Sequence, residues 1–477
     1  MIVRLALRSL TTRPLRTAVL AAGFGLGIAV MAELLGVGQV ILEQARSPAL
    51  AGGGDVVVAG AAGALENARY VLANVIRGGA LAPRVAAASP SLRASVYLVV
   101  EPGVTIPVSV RGAIPSLQSA VGEPEIANQP EWRDEPADGA WTNPRPDDVI
   151  RAMDRFHPVP REVPHKSWAE WLYFNGRTQD GRVRFYLTFL VGQDDAGHSG
   201  KRPALVRLQL DRDGRSTNYS AVAAIDERDL LERAPDLDIG ANRVRLEDSR
   251  YRMTLALSSE AAPQRHGAPD LAGEITLDAT PGRALPPSAI HGARGWLSGY
   301  VVPVLSGAIR GALTVGGERL SLDGATGYHD HNWGFWEGVR WQWGQVASGS
   351  STDALSIVYG RVFPPPTVAD ADRVPGALAL LGPDGPIAFA TNVSIVEDGE
   401  GATPRALTIR ARGDAIDLTL TFTVADIVRS RMAMTRLAAD GPAMNFLQLS
   451  GTYQVSGRAA GREVSFGARG SAETFRP

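Results

Sequence analysis

Short apolar-polar alternations fill the second half of the chain and leave few folds open to it. They run Arg182 to Leu190, Leu205 to Leu210, Tyr251 to Leu257, Glu274 to Leu277, Ala312 to Val315, Ala354 to Val362, Ala388 to Val396, Ala406 to Arg410, Ile416 to Val424, Phe446 to Val455 and Glu463 to Ala468. A period of two gives a strand one core face and one outer face. Turn signals such as Asp211-Arg-Asp-Gly and Gly382-Pro-Asp-Gly separate the runs. Many short strands at this spacing predict a mainly β, antiparallel sandwich or barrel. About 310 residues is large for one barrel, so two consecutive barrels are expected, over 165–300 and 301–477, with the boundary near Gly282 to Gly311 or slightly beyond the Gly327–Trp343 stretch. A barrel of about eight strands has room for one small apolar ligand.

The chain begins differently. Residues 17–42 are apolar apart from Thr17, Glu33 and Gln39, and Arg4, Arg8, Arg13 and Arg16 precede them without an acid. A bilayer needs roughly 20 such residues, and the basic flank keeps the amino end cytoplasmic. A cleaved signal peptide competes with this reading, but the apolar stretch is long for one. We therefore expect residues 1–45 to form a single-pass inner-membrane anchor with the bulk of the chain periplasmic. A small α/β segment, 46–121, with strand-like Ser95 to Val100 and Ile106 to Arg111, follows. Residues 122–164, rich in Pro, Asp, Glu, Trp and Asn, read as a linker.

A net charge of -2 argues against nucleic acid as a partner. With no cysteine, disulfides, thiolate metal sites and cysteine nucleophiles are excluded.

Chemistry concentrates at Gly327 to Trp343. These 17 residues hold four of the nine tryptophans and two of the seven histidines. Read as extended backbone, Tyr328, Asp330 and Asn332 share one face, and His329 and His331 the other. Three readings stay open. Asp330 is a general acid in an apolar, aromatic-walled cavity, where desolvation raises a carboxyl pKa. Alternatively, His329 and His331 converge on a metal ion. Or the polar groups satisfy one another in a barrel wall and the tryptophans are core. On the first reading, Trp333, Trp336, Trp341 or Tyr328 can stabilise a carbocation made by protonating an alkene, and no cofactor or metal is needed.

A second aromatic run, Trp168-Ala-Glu-Trp-Leu-Tyr-Phe-Asn-Gly, opens the β region. As a strand it directs Glu170, Leu172 and Phe174 one way and Trp171, Tyr173 and Asn175 the other. Glu170, between tryptophans, needs a partner or a job, and Trp171 and Tyr173 are candidate ligand contacts.

Two resemblances follow from these stretches. Leu5 to Leu20, the apolar helix and Gly53-Gly-Asp-Val-Val-Val-Ala-Gly look like the opening of FtsX-type ABC-transporter permeases; the later membrane helices of such a permease are absent from the sequence. The pairing of Glu170-Trp-Leu-Tyr-Phe-Asn-Gly with Gly327-Tyr-His-Asp-His-Asn-Trp-Gly resembles the AttH and carotenoid 1,2-hydratase (hydroxyneurosporene synthase) superfamily, over about 165–477. That resemblance implies two consecutive lipocalin-like barrels, with tocopherol cyclases and some Diels-Alderases as more distant relatives. It also implies a catalytic acid at Asp330 assisted by Tyr328 in the hydratase branch. The AttH branch accords with the permease-like start and implies a hydrophobic ligand, a lipid or isoprenoid, handled beside an ABC export system. Its ligand contacts would be His329, His331, Asn332, Trp333, Trp336, Trp341, Glu170, Trp171 and Tyr173.

Overall fold

The computed structural model describes residues 56–476, apart from 60–64, 66, 79–80, 102–103, 123–130, 161, 166, 194–199, 262–268, 281, 350–353, 401–402 and 433–443, together with scattered positions between 12 and 33. The expected membrane helix, 17–42, lies mostly outside the described residues. Among those described, no helix is long and apolar enough to cross a membrane. The chain divides into two compact units, 1–65 with 87–142, and 66–86 with 143–477.

In the first unit, β1 (Ser91–Glu101) and β2 (Val104–Ala113) form an antiparallel ribbon, Leu98 opposite Ile106. The two expected strands lie within it, and the short helix Pro115–Ala120 follows with proline in its first turn, where a missing N–H costs nothing.

The second unit holds two antiparallel, barrel-like sheets. The first contains β3 (Trp168–Arg177), β4 (Val183–Gly192), β5 (Lys201–Arg212), β6 (Arg215–Asp226), β7 (Leu237–Ile239), β8 (Asn242–Glu247), β9 (Arg250–Ser259), β10 (Leu271–Asp278), β11 (Leu285–His291), β12 (Leu297–Val315), β13 (Glu318–Ser321) and β14 (Ala325–Phe335). Its path β10-β12-β14-β3-β4-β5-β6-β9 returns to β10, because β9 pairs with both β6 and β10. The second sheet contains β15 (Arg340–Ala347), β16 (Ser356–Phe363), β17 (Ala377–Gly382), β18 (Gly385–Ala390), β19 (Asn392–Glu400), β20 (Thr403–Gly413), β21 (Ile416–Met432), β22 (Met444–Ala459) and β23 (Arg462–Arg476). Its order is β18-β17-β16-β15-β23-β22-β21-β20-β19. The mainly β, two-barrel expectation holds at this level. The first sheet runs on to Phe335 and the second starts at Arg340, so the change of sheet falls near residue 338, within the Gly327–Trp343 stretch. β12 and β14 belong to the first ring because they pair along most of their length.

Strand β4 shows why so much of the sequence is apolar on both faces. Val183, Phe185, Leu187, Phe189 and Val191 enter the first barrel's core, while Tyr186 packs in a separate cluster between the sheets. Each buried phenylalanine contributes about 2 kcal/mol. Residues 143–164 are not a linker. The helix Pro146–Met153 buries Val149, Ile150 and Met153, and Phe156 follows them into the same core. Its apolar residues recur at helical spacing, which gives a short helix one face to bury.

Candidate functional site

Strand β14 separates two buried chemistries, since alternate side chains leave it in opposite directions. Its neighbours are β3 and β12, with Asp330 opposite Tyr173 and His331 opposite Leu172. Gly299 of β12, opposite Trp333, leaves space for that indole: a Cβ there would lie 2.0 Å from the ring.

On the barrel-interior face, His329 and His331 both turn to Asp154, at 3.0 and 2.9 Å. The other nitrogen of His331 lies 2.9 Å from Glu170, and the other nitrogen of His329 lies 3.0 Å from the Tyr173 carbonyl. Tyr251 donates to Asp154 at 2.6 Å. Glu170 accepts the backbone N–H of His157 and faces its Nδ1 at 2.7 Å. His329 stacks on Phe174, and His157 on Trp333. Burial pushes the Asp154 carboxyl up, but the two imidazoles more than offset it and hold the group well below its ordinary range. Glu170 is likewise raised by burial and brought below its ordinary value by His157 and His331. Burial pulls His331 down, yet its two carboxylates lift it to about 9. This is a compensated ion network, in which opposite charges and hydrogen bonds offset desolvation.

The metal reading needed both histidines on one ion, and they converge on a carboxylate instead. A different trio, His157, Glu170 and His331, brings one donor atom each within 4.8 Å of the others. Two imidazoles and a carboxylate are a donor set that zinc accepts, but here the same atoms already pair with each other.

On the opposite face, Tyr328 donates to Asp330 Oδ2 at 2.8 Å, and Asn332 Nδ2 donates to Oδ1 at 2.8 Å. Tyr300 lies 2.6 Å from the Tyr328 hydroxyl, and Trp343 Nε1 donates to Tyr300 at 3.0 Å. An indole N–H can only donate, so Tyr300 accepts from Trp343; Tyr328 gives its own proton to Asp330, which leaves Tyr300 to donate to Tyr328, and the chain runs Trp343 to Tyr300 to Tyr328 to Asp330. Asp330 faces a cavity of about 520 Å³ between the two sheets. Trp171, Tyr173, Tyr300 and Trp336 wall it from the first sheet side, and Trp341, Val358, Phe446 and Glu473 from the second. Trp341 is fixed by stacking on Phe475, ring centres 3.9 Å apart.

Burial raises the Asp330 carboxyl well above its ordinary range; Tyr328 and Asn332 pull the other way, and the nearby charge of Glu473 raises it further. Burial lifts Glu473 to about 7, with Tyr173 and Trp341 holding it back. Gln448 links Glu473 to the Tyr173 hydroxyl, at 3.1 and 2.8 Å. A neutral carboxyl in an apolar wall can donate a proton or a hydrogen bond to whatever occupies the space.

Of the residues singled out in the sequence, Asp330, Asn332, Trp171, Tyr173, Trp336 and Trp341 line this cavity. Tyr328 stands behind Asp330, 1% exposed. Glu170, His329, His331 and Trp333 do not line the cavity: alternation along β3 and β14 sends them into the first barrel. The cavity itself lies outside that barrel, whose interior is filled by side chains. Sequence reasoning missed Asp154, His157, Tyr300, Gln448 and Glu473. The amphipathic Pro146–Met153 segment could have signalled the first two, and the alternation continuing past Ala468 could have signalled Glu473.

Fold and site together define a tandem barrel-like protein with an apolar cavity between its sheets and protonatable carboxyls in the cavity wall. No family model matches the chain, and no curated protein matches it. Among solved structures, one described as an AttH candidate from Nitrosomonas europaea is similar at 17% identity and a TM-score of 0.43, over 64% of this chain and 92% of the other. CghA with Sch210972 is similar at 14% identity and a TM-score of 0.39, over 65% of this chain and 88% of the other.

Proposed function

We propose that the cavity between the sheets binds a hydrophobic ligand, a lipid or isoprenoid, with Asp330 as a neutral polar anchor. The observation that carries this reading is an aromatic-walled space of about 520 Å³ whose wall presents a carboxyl that burial raises well above its ordinary range. Pockets of a few hundred Å³, mostly apolar with a few convergent polar groups, are the usual form of small-molecule sites. On this reading the protein is AttH-like, held at the periplasmic face of the inner membrane by residues 17–42, and works beside an ABC export system. The permease-like start and the Tyr-His-Asp-His-Asn-Trp-Gly string support that setting. The test is native mass spectrometry of the full chain purified from its own membrane, followed by extraction of the bound compound. A lipid or isoprenoid that co-purifies, leaves on extraction and rebinds unchanged supports a carrier. A protein that carries no such compound, and takes none up from the membrane extract, overturns it.

A second reading, a cofactor-independent hydro-lyase of the carotenoid 1,2-hydratase type, draws on one further observation. Glu473, near pKa 7, faces the same cavity as Asp330, so a proton donor and a proton acceptor are both present at neutral pH. Asp330 gives its proton to an isoprenoid double bond, and the aromatic walls attract the resulting cation. Water adds to that cation, and the carboxylate of Asp330 or Glu473 takes the surplus proton. Asp330→Asn separates the readings: it abolishes hydration in the enzyme and leaves affinity nearly unchanged in the carrier.

A further inference from the structure

A second space lies between the same two sheets, and its chemistry is opposite. It is a cleft of about 390 Å³ lined by Asn175, Arg177, Arg184, Gln345, Arg469 and Ser471, among others, with Tyr186 common to this cleft and the aromatic cavity. The two follow one another along the strands. On β3, Trp171 and Tyr173 line the cavity and Asn175 and Arg177 the cleft; on β23, Glu473 lines the cavity and Ser471 the cleft. Outward residues two apart on a strand are about 7 Å apart, so cleft and cavity are neighbours.

The cleft carries uncompensated positive charge. Arg184 is neutralised by Asp211 and Asp426, at 3.4 and 3.0 Å. Among the described residues, Arg177 has no carboxylate partner and Arg469 reaches only the Asp180 carbonyl, at 3.4 Å. No Asp or Glu among the described residues lines the cleft. Burial and then the charge of Arg469 press the Arg177 pKa down, the mark of like charges sharing one space. Asn175 adds a second observation. It is 6% exposed, and its Nδ2 has no hydrogen-bond partner among the described residues. A buried donor left unpaired costs about 1–3 kcal/mol, and an acceptor placed in the cleft would satisfy it.

We propose that this cleft is an anion site for a phosphate or carboxylate group, held by Arg177 and Arg469 with Asn175 as a neutral donor. Guanidinium groups bind such oxygens in bidentate fashion. The site goes beyond the ligand reading above and stands without it. Only the source of the anion depends on that reading: the head of an amphiphile whose apolar part fills the cavity, or a free anion.

The experiment titrates octyl phosphate, octanol and inorganic phosphate into the full chain and its Arg177→Met and Arg469→Gln variants by calorimetry. Arg469 is exposed, so Arg469→Gln tests the site even where Arg177→Met misfolds. A lipid-head source predicts that octyl phosphate binds at least about tenfold more tightly than octanol, with that margin lost in Arg469→Gln and octanol unaffected. A free-anion source predicts arginine-dependent binding of inorganic phosphate with no gain from the alkyl chain. Both outcomes support the site. Binding of octyl phosphate and inorganic phosphate that is absent, or unchanged in both variants, overturns it. Octanol binding reports on the cavity alone, so failure of the ligand reading is seen separately.

Discussion

The two sides of β14 face carboxyls that are all buried and oppositely tuned. Asp154 and Glu170, inside the first barrel, sit below their ordinary pKa range; Asp330 and Glu473, in the cavity wall, sit above it. Burial raises all four. What differs is the partner: imidazoles meet the interior pair, whereas a phenol, an amide and an indole meet the cavity pair. Neutral donors recover too little of the lost hydration to keep a charge. A buried carboxyl therefore says little about function until its neighbours are named. The interior face is structural by this criterion, and the cavity face retains protons to give.

That contrast can be broken from either side. The largest effect is expected on the interior face. Asp154→Asn leaves His331 short of a counter-charge and should lower stability by about 3–5 kcal/mol, measured by chemical denaturation at neutral pH. A loss below about 1 kcal/mol would mean that the network is not charged.

On the cavity face the sign reverses. Glu473 is raised from 4.5 to about 7, so between those values the native state binds more protons than the unfolded one. Stability from this group is full below about 4.5 and declines as pH rises through 7, by roughly 3 kcal/mol. Asp154 and Glu170, whose values are depressed, act the other way: their contribution is present above the ordinary carboxylate range and is lost as pH falls. Glu473→Gln should flatten the decline between pH 4.5 and 7 while leaving the acid limb in place. A variant with the wild-type slope would remove Glu473 from the account.

Tyr300→Phe should cost about 1–3 kcal/mol, because Trp343 Nε1 loses its acceptor in a buried site; a neutral result in thermal melts would dissolve the directed chain. Asp330→Asn is expected to matter least to folding, within about 1 kcal/mol, since it exchanges one neutral hydrogen-bonding group for another of similar size.

Much of this is legible in the sequence. The alternation at Tyr328 to Asn332 separates the phenol, acid and amide from the histidines, and the alternation at Glu170 to Asn175 assigns both faces of β3. What stayed hidden was which face meets what. A period of two says that two faces exist; it does not say that the outer face of one barrel is covered by a second sheet, which turns an expected barrel interior into a cavity between barrels. Asp154 was hidden for a related reason. It lies 175 residues from His329, at the end of a short helix whose Pro- and Asp-rich start resembles a linker. The exact sheet boundary was not legible either, because β12 is 19 residues long and Pro303, Gly307 and Gly311 within it are residues that ordinarily mark a strand's end.

The most direct measurement is infrared difference spectroscopy of the carboxyl C=O band at pH 7, comparing the protein with Asp330→Asn and Asp154→Asn. The account predicts that Asp330→Asn removes a protonated-carboxyl band and that Asp154→Asn removes only carboxylate absorption. Loss of carboxylate absorption on replacing Asp330 would show that the cavity acid is ionised, and would contradict the proposed role of that face.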